Sequence, residues 1–474
     1  MLALAAATLI CYAPAFRAPF VLDDAITVDA SARWSAAEGM PTAGRPLVML
    51  TLGANYHLNE LLGVDQSADP GGPNKTIVYR AFNLCLHLLT GALLFLVLRR
   101  AMRERPIPED WRAIADPLAG AVAALWLLHP IQSEVINYVV QRSEGLASCF
   151  YLATLYASQR AWDADAAARI RWYALAVAAC LLGMLSKEIA ITVPLAVMLY
   201  DRAFRLPSWR ALLAPGRWRG LLYALLWITC LATFATVAFG TRGRTAELNG
   251  GVTWYGYLYT QCWAIAHYLR LVVWPNALSP DYGFRTIHGA RGVAGALLLG
   301  AFAIATIVAW TRVERFGWFA FTGSMFFVLL APSSSVVPVV LEVAAERRIY
   351  LALAAVLVLA VVGAEHLRRR ARRPVPGRWA VAAAGALAVV LTATTARRSY
   401  AYTNPESLWR EAVRAVPQNS RAREQLGLAL LALPAPNMAA AESAFVQALA
   451  TDSSCQSGCL QYGTLLSKEG RLAE

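Results

Sequence analysis

Long apolar runs constrain this chain more than any other feature of its sequence. Residues 220–240, 292–311 and 379–396 each form a run of roughly 20 residues, the length that a hydrocarbon core of about 30 Å requires of a helix. Hydrophobic residues make up 58% of the chain and charged residues 15%, whereas soluble globular domains have about 45–50% and about 25%. We therefore expect an all-α polytopic membrane protein.

The apolar runs predict about eleven membrane spans. They lie at 1–16, 77–98, 117–131, 143–160, 172–186, 188–201, 220–240, 292–311, 316–332, 349–366 and 379–396. Residues 172–200 would measure about 43 Å as one helix, which is too long for one span and short for two. We therefore expect two short helices that meet at residues 186–188, where the sequence reads Ser-Lys-Glu.

Arginine-rich loops indicate the orientation in the membrane. The net charge of +13 is concentrated in short loops at 99–105, 201–220 and 366–378. Short loops rich in Lys and Arg face the cytoplasm. The N-terminus is therefore predicted inside and the C-terminus outside, and the basic balance does not indicate nucleic-acid binding.

The segment 254–275 is predicted to lie at the interface or to be re-entrant. It contains His267, Arg270 and many aromatic residues, which suit the membrane surface. If it crossed the membrane, the basic loops at 312–315 and 366–378 would face outside, against the charge rule.

The sequence changes character after the last apolar run. Residues 404–474 are amphipathic and show the spacing of 34-residue tetratricopeptide repeats, the last one incomplete. The positions that carry this spacing are Trp409, Ala412, Pro417, Ser420, Gly427, Phe445, Ala448 and Gly463. We expect a membrane domain over 1–400, with an outer loop at 17–76, followed by an α-solenoid over 404–474.

Acidic and basic residues recur on the predicted outer face. Four loops carry them: Asp23 and Asp24; His129, Glu134, Arg142 and Glu144; Lys187 and Glu188; Glu342, Glu346, Arg347 and Arg348. A passive scaffold does not need charges in four loops of one face, and charges at a membrane boundary are functional candidates by default.

These residue types suit group transfer from a lipid phosphate. A carboxylate can take the proton of an attacking hydroxyl, and Arg or Lys can stabilise a departing phosphate. The sequence has no P-loop or other nucleotide-binding pattern, which disfavours a soluble nucleotide donor. The eight cysteines show no zinc spacing. No cofactor is expected to be required, and a divalent metal stays open.

Several stretches together carry a family resemblance. They are FVLDDAI, GRPLVMLTLGANY, AFNLCLHLLTGALL, LLHPIQSEVINYVVQRSEGLAS, LSKEIAITVPLAVMLYD and VVLEVAAERRIYL, followed by the repeats. The chain resembles the transmembrane-and-tetratricopeptide-repeat O-mannosyltransferases and their bacterial relatives, which are GT-C-type glycosyltransferases that use polyprenyl-phosphate sugars. The resemblance implies that an Asp of the first outer loop is the general base. Glu144 stands where an Asp is usual in the animal members.

The candidate site follows from these two arguments. Asp23 is favoured as the base and Asp24 as a support of the loop or a partner of a cation, the alternative being that both are a solvated helix end or a helix cap. At least one of four basic residues is expected to bind the donor phosphate: Arg142, Lys187, Arg347 and Arg348. Supporting roles are expected for His129, Glu134, Glu144, Glu188 and Glu346, with His129 favoured as a structural hydrogen-bonding residue.

The sequence therefore predicts transfer of a sugar, mannose or a similar hexose, from a polyprenyl- or dolichyl-phosphate donor to a protein hydroxyl, with inversion. The repeats are expected to recruit the protein acceptor. Alternatives are transfer to a glycan or lipid, a noncatalytic anchor that presents the repeats, and a transporter or flippase. The expected location is a bacterial inner membrane with a periplasmic site, or the endoplasmic reticulum with a lumenal site in a eukaryote.

Overall fold

The computed structural model describes residues 2–33, 44–64, 75–104, 107–239, 253–283, 289–334, 342–371 and 376–452, and a few positions between 460 and 467. Every regular element in these ranges is helical. Parts of the predicted outer loop 17–76 and most of the last predicted repeat lie outside the described residues.

The α-helices follow one another along the whole described chain. They are α1 Leu2–Tyr12, α2 Asp24–Arg33, α3 Pro46–Leu61, α4 Ile77–Ala101, α5 Glu109–Arg112, α6 Ala115–Leu128, α7 Ser133–Asn137, α8 Arg142–Trp162, α9 Ala166–Met184, α10 Val193–Phe204, α11 Trp209–Leu213, α12 Arg217–Phe239, α13 Trp254–Val273, α14 Ala290–Thr311, α15 Val313–Leu330, α16 Ala352–Arg370, α17 Gly377–Ala401, α18 Pro405–Ala415, α19 Ser420–Leu431 and α20 Met438–Thr451. Short 3₁₀ segments cover Ala13–Arg17, Pro130–Gln132, Val139–Gln141, Glu188–Thr192 and Glu346–Ile349.

Six of the described helices are long and apolar enough to cross a membrane: α4, α9, α12, α14, α15 and α17. The number becomes seven if the bent pair Ala115–Leu128 and Pro130–Asn137 is one span. Each of the eleven predicted segments falls on a helix, but the count of eleven spans is not confirmed.

Two breaks interrupt the apolar helices near one end of the bundle. The sequence predicts a continuous span over 117–131, but α6 ends at Leu128 and the chain bends by 54° across the break. Pro130 has no backbone N–H and disfavours helical backbone at His129, which accounts for this end. The break predicted at residues 186–188 is present, because α9 ends at Met184 and the next α-helix begins at Val193.

Three helices run in the same direction and define the two ends of the bundle. The start of α8 contacts the start of α4, where Arg142 donates a hydrogen bond to the Tyr79 carbonyl over 3.2 Å. Their far ends also meet, where Gln159 donates to the Val97 carbonyl over 3.3 Å. Helix α10 runs alongside, and Arg205 at its end pairs with the region after α4. We call the two ends the Asp23 end and the Arg103 end.

A buried aromatic cluster fixes the segment before α16 against the bundle. The ring of His87 stacks on Trp126 with centroids 4.8 Å apart and hydrogen-bonds the Tyr350 hydroxyl over 2.8 Å. The indole N–H of Trp126 donates to the Tyr350 carbonyl over 2.8 Å. Residues 346–349, immediately before Tyr350, are therefore held at a fixed position at the Asp23 end.

The C-terminal helices α18–α20 pack on the Asp23 end of the membrane domain. Asn419 donates to the Asp281 carboxylate over 2.9 Å, and Arg421 forms an ion pair with the same buried side chain. Within the helices, a Cβ at Gly427 would lie 2.6 Å from the Phe445 ring, so only glycine permits this approach of α19 to α20. This packing fits a helical repeat pair, while the tetratricopeptide assignment stays a prediction.

Candidate active site

The adjacent carboxylates Asp23 and Asp24 have different environments. Asp24 is fully buried and accepts hydrogen bonds from the backbone N–H groups of Val21 (3.0 Å), Val139 (3.1 Å) and Val140 (2.8 Å). Burial raises the pKa of Asp24 to about 7, while these N–H donors and the nearby Arg80 oppose the rise. Asp24 therefore ties the first loop to residues 138–141.

Asp23 instead has an exposed side chain. The Tyr138 hydroxyl donates a hydrogen bond to one of its carboxylate oxygens, and no other hydrogen bond engages this carboxylate among the described residues. Asp23 also lies within electrostatic range of Arg45. This carboxylate is therefore open to an incoming group, as the predicted role of general base requires.

The backbone at Leu22, directly before the two carboxylates, has an unusual conformation. Leu22 has a φ of 51° and is the one non-glycine residue with positive φ in the described part of the chain. This left-handed conformation costs an L-residue roughly 1–2 kcal/mol. The side chain of Leu22 packs against two buried clusters, one that contains Tyr402 and Leu408 and one that contains Trp409 and Ala412.

Lys187 and Glu144 form a buried ion pair at the Asp23 end. The Lys187 ammonium lies 2.5 Å from the Glu144 carboxylate, and the side chains are 11% and 4% exposed. Burial lowers the pKa of Lys187 to about 7; Glu144 opposes this shift, whereas Arg45 and Arg347 add to it. Lys187 is therefore a cation whose charge changes near neutral pH.

Arg45 is a site residue that the sequence reasoning did not single out. It precedes α3, and its guanidinium donates to the Ser143 hydroxyl over 3.0 Å and to the Glu188 carboxylate over 3.3 Å. Burial lowers the pKa of Arg45 to about 10, and Glu144 and Asp23 partly offset this effect. The stretch GRPLVML carried the family resemblance, but nothing beside Arg45 in the sequence marked it as a ligand.

Arg347 is the third cation near Asp23, after Lys187 and Arg45. It forms ion pairs with Glu134 and Glu342, and its backbone N–H donates to Glu134 over 2.9 Å. Burial opposes its charge, but Glu342 and Glu134 raise the pKa of Arg347 well above its usual value. Its guanidinium lies 5.9 Å from the centre of the Tyr138 ring, whose hydroxyl contacts Asp23.

These residues come from segments that are far apart in the chain. We call Asp23, Arg45, Lys187 and Arg347 the charged group. Arg45 interacts electrostatically with Asp23 and Arg347, and Lys187 with Arg45 and Arg347. The structure thus brings one exposed carboxylate together with three largely buried cations, and each cation already has a carboxylate partner.

The structure places Arg142, a predicted phosphate ligand, among protein groups. It is fully buried, donates to the Asn55 side chain over 2.8 Å and to the Tyr79 carbonyl over 3.2 Å, and lies 4.6 Å from the centre of the Phe82 ring. These contacts connect α3, α4 and α8. Phosphate binding by Arg142 stays a prediction.

Arg348 and His129 both hold α13 against the bundle. Arg348 donates to the Tyr257 hydroxyl over 3.3 Å and to the Gln261 side chain over 3.4 Å. His129 Nε2 lies 2.9 Å from the Val272 carbonyl, so this nitrogen carries the proton and donates it. These bonds fit a structural role for His129.

Glu346 supports the segment that receives the C-terminal helices. Its carboxylate accepts hydrogen bonds of 2.6 Å from the Ser279 backbone N–H and of 2.6 Å from the Tyr282 hydroxyl. Burial raises the pKa of Glu346 to about 8, and Arg398 opposes this rise. Glu346 therefore binds the segment around Ser279 and Tyr282 and is not part of the charged group.

No set of three or more His, Cys, Asp or Glu side chains that could hold a metal ion occurs within the described ranges. A requirement for a divalent metal therefore stays open.

The chain is 26% identical over 458 residues to Protein O-mannosyl-transferase Tmtc3 of Drosophila melanogaster. The family resemblance predicted from the sequence is confirmed. The match covers 81% of this chain and 46% of the fly protein, so the chain spans about half the length of that relative. No family model matches the chain.

One solved structure, ArnT from Cupriavidus metallidurans in the apo state, is similar over 98% of this chain and 77% of that chain, with 18% identity and a TM-score of 0.41. The apolar helices and the match to the fly relative indicate an integral membrane protein.

Proposed function

We propose that this chain is a GT-C-type glycosyltransferase that moves a hexose, mannose in the first instance, from a polyprenyl-phosphate donor to a hydroxyl of a protein acceptor. The observation that carries the proposal is the charged group, in which the exposed Asp23 lies beside three largely buried cations. The similarity to a relative named as a protein O-mannosyl-transferase supports the choice of sugar and acceptor.

The three cations are suited to bind the donor phosphate. Each is held by a carboxylate: Arg45 by Glu188, Lys187 by Glu144, and Arg347 by Glu134 and Glu342. A guanidinium has five N–H donors and an ammonium three, so these ion pairs fix the cations and leave donors for phosphate oxygens. Cations in a largely buried site also stabilise the charge that develops on the departing phosphate.

Asp23 is suited to activate the acceptor. The acceptor hydroxyl gives its proton to the Asp23 carboxylate while its oxygen forms a bond to the anomeric carbon of the sugar. The bond from that carbon to the phosphate oxygen breaks, and the polyprenyl phosphate leaves with the electron pair. Attack opposite the leaving phosphate inverts the configuration of the sugar. The Tyr138 hydroxyl holds Asp23 in place for this step.

The C-terminal helices are proposed to recruit the protein acceptor. They pack on the end of the membrane domain that carries Asp23, so a polypeptide bound there would lie near the base. Stacked helical pairs form extended peptide-binding surfaces. We place this end on the periplasmic face of a bacterial inner membrane, or on the lumenal face in a eukaryote, because the arginine-rich loops lie at the opposite end.

The function is tested with the purified full chain in detergent micelles. Mannosyl polyprenyl phosphate and the nucleotide-linked form of the same sugar are offered separately, with a Ser/Thr-rich protein as the acceptor, and transfer is followed by mass spectrometry. We expect transfer from the lipid donor alone, with inverted configuration in the product. Arg171→Gln, a change of an exposed arginine on α9, serves as the matched control and should transfer at the wild-type rate.

Other results would contradict the proposal. Use of the nucleotide sugar would exclude a lipid-phosphate enzyme. Movement of the intact lipid donor across proteoliposomes without sugar transfer would favour a flippase. Acceptor binding without transfer from any polyprenyl-phosphate hexose would favour a noncatalytic anchor, and transfer to a glycan or lipid alone would remove the protein acceptor.

A further inference from the structure

A cavity of about 360 Å³ lies at the Arg103 end, away from the charged group. Its lining contains five arginines and two carboxylates: Arg99, Arg100, Arg103, Arg160, Arg205, Glu104 and Asp163. The cavity lies where α4, α8 and α10 end. Since α8 has 21 residues, the cavity is about 30 Å along the helix axis from the start of α8, roughly one hydrocarbon core away.

Carboxylates pair with four of the five arginines of the cavity. Asp163 accepts from Arg100 and from Arg205, the latter over 2.7 Å, and Glu104 also pairs with Arg205 over 2.6 Å. Outside the lining, Asp116 pairs with Arg103 over 2.7 Å and also with Arg99. These pairs, together with the partial negative charge of helix C-termini, account for part of the basic charge.

Arg160 has a different environment. Its guanidinium lies 4.9 Å from the centre of the Trp172 ring and donates to the Tyr156 hydroxyl over 3.2 Å. No carboxylate of the described residues pairs with Arg160. Its position against two aromatic rings is typical of a membrane–water interface, and its remaining N–H groups are free to bind an oxygen ligand.

We infer that this cavity binds the phosphate of a lipid headgroup in the membrane leaflet at the Arg103 end. Several guanidinium groups around one cavity suit phosphate, because each can donate two N–H bonds to its oxygens. The position at the ends of apolar helices, beside Trp172 and Tyr156, favours a lipid over a soluble phosphate. The bound headgroup would fix this end of the bundle at the membrane surface, which is a role separate from catalysis.

The test measures binding of two probes to the full chain in an uncharged detergent. The probes are a short-chain phosphatidylglycerol and inorganic pyrophosphate, and the proteins are the wild type, Arg160→Gln, the double variant Arg103→Gln/Arg160→Gln, and the control Arg171→Gln. We expect the dissociation constant of the lipid to rise at least about tenfold in the double variant, less in Arg160→Gln, and less than about twofold in the control.

Three results would overturn this inference: no binding of the lipid to the wild type, equal binding to all four proteins, or binding of pyrophosphate alone, which would assign the cavity to a soluble phosphate. Gel filtration and the unfolding temperature of each variant show whether it is folded. The single variant keeps the test valid if the double variant is not.

A second, independent inference concerns Leu22 and rests on the proposed function. Leu22 holds a left-handed backbone conformation directly before Asp23, and its side chain packs against the buried cluster that Trp409 forms with Ala412 of α18 and with Ala422 and Ala429 of α19. On the other side of the loop, Asp24 is bound by the backbone of residues 139 and 140. We propose that Leu22 is a positioning residue through which the C-terminal helices set the direction of the Asp23 side chain.

The experiment separates positioning from folding and from donor binding. Leu22→Gly permits the same backbone angles but removes the side chain that packs against the Trp409 cluster, whereas Leu22→Met keeps an apolar side chain there. Leu22→Gly should lower kcat for a short peptide acceptor about tenfold with the donor KM unchanged, Trp409→Ala should do the same, and Leu22→Met should restore most of the rate.

An unchanged kcat in Leu22→Gly would overturn this second inference while leaving the proposed function intact. A wild-type protein without transferase activity would instead contradict the proposed function itself. The two failures are therefore distinguishable.

Discussion

The two ends of α4, α8 and α10 both carry charged side chains, but they differ in how deeply these are buried. At the Asp23 end, the Lys187 and Glu144 side chains are 11% and 4% exposed. At the Arg103 end, the Arg103 and Asp116 side chains are 48% and 44% exposed, although Arg205 and Glu104, which also pair there, are each 13% exposed. Both ends join segments distant in sequence, since Glu144 and Lys187 are 43 positions apart and Glu104 and Arg205 are 101 positions apart.

This difference in exposure separates ion pairs that are costly to bury from ion pairs that stay largely in contact with water. Removing ions from water costs several kcal/mol each, and a buried ion pair often contributes no net stability. Half-exposed pairs contribute about 0–1 kcal/mol and require no special explanation. The charged group therefore has a cost that stability does not explain, as expected of the proposed transferase site.

Replacement of Arg347 should have the largest effect on transfer if the buried charges of the Asp23 end bind the donor. Arg347→Gln should lower kcat/KM for the lipid donor by about 100-fold, because charge-assisted hydrogen bonds worth roughly 1.5–3 kcal/mol each are lost. The measurement is steady-state transfer at varied donor concentration. The double variant Glu134→Gln/Arg347→Gln removes both charges of one buried pair and should fold yet remain equally slow. Wild-type kinetics in either variant would remove Arg347 from the site.

Lys187 should make donor binding at the Asp23 end depend on pH. With a pKa lowered to about 7, Lys187 is charged below that pH and loses its proton above it. The donor KM should therefore rise about tenfold between pH 6 and pH 8, since the neutral amine binds phosphate poorly. Lys187→Arg keeps its charge and should show a flat profile. The same rise in Lys187→Arg would assign the pH dependence to another group.

Gly427 tests whether the C-terminal helices serve the acceptor, with the smallest expected effect. Gly427→Ala places a Cβ 2.6 Å from the Phe445 ring, and overpacking of this kind costs about 1–3 kcal/mol. The KM for a protein acceptor should rise roughly threefold, with transfer to a short peptide unchanged. Equal losses on both acceptors would mean that α19 and α20 affect the transfer step itself rather than recruitment of the protein acceptor.

Much of the fold could be predicted because membrane helices can be recognised in a sequence by their length and hydrophobicity. The start of α4 and the break at residues 186–188 follow from apolar runs and local charge. The bend after α6 was not predicted, since hydropathy continues through His129-Pro130 and only the backbone chemistry of proline ends the helix there.

The candidate site could be predicted less completely, because proximity in space leaves no mark in one sequence. Arg45 joins Glu188 across 143 positions, and nothing next to it in the sequence indicates that contact. The preference for Asp23 over Asp24 came from the family pattern alone. In the structure the two differ in burial, because three backbone N–H groups hold the Asp24 carboxylate inside while Asp23 stays exposed, and adjacent identical residues give no sign of this.

A side-by-side comparison of Asp23→Asn and Asp24→Asn, by transfer rate from the lipid donor and by unfolding temperature, tests the central claim most directly. Asp23→Asn should keep the wild-type unfolding temperature, because its side chain is exposed, and lose at least about 100-fold in rate, because the base is removed. Asp24→Asn should unfold at a lower temperature, because its buried carboxylate holds three backbone N–H groups, while its folded fraction keeps a rate within about tenfold of wild type. A wild-type rate in Asp23→Asn, with or without a loss in Asp24→Asn, would contradict the claim that Asp23 is the general base.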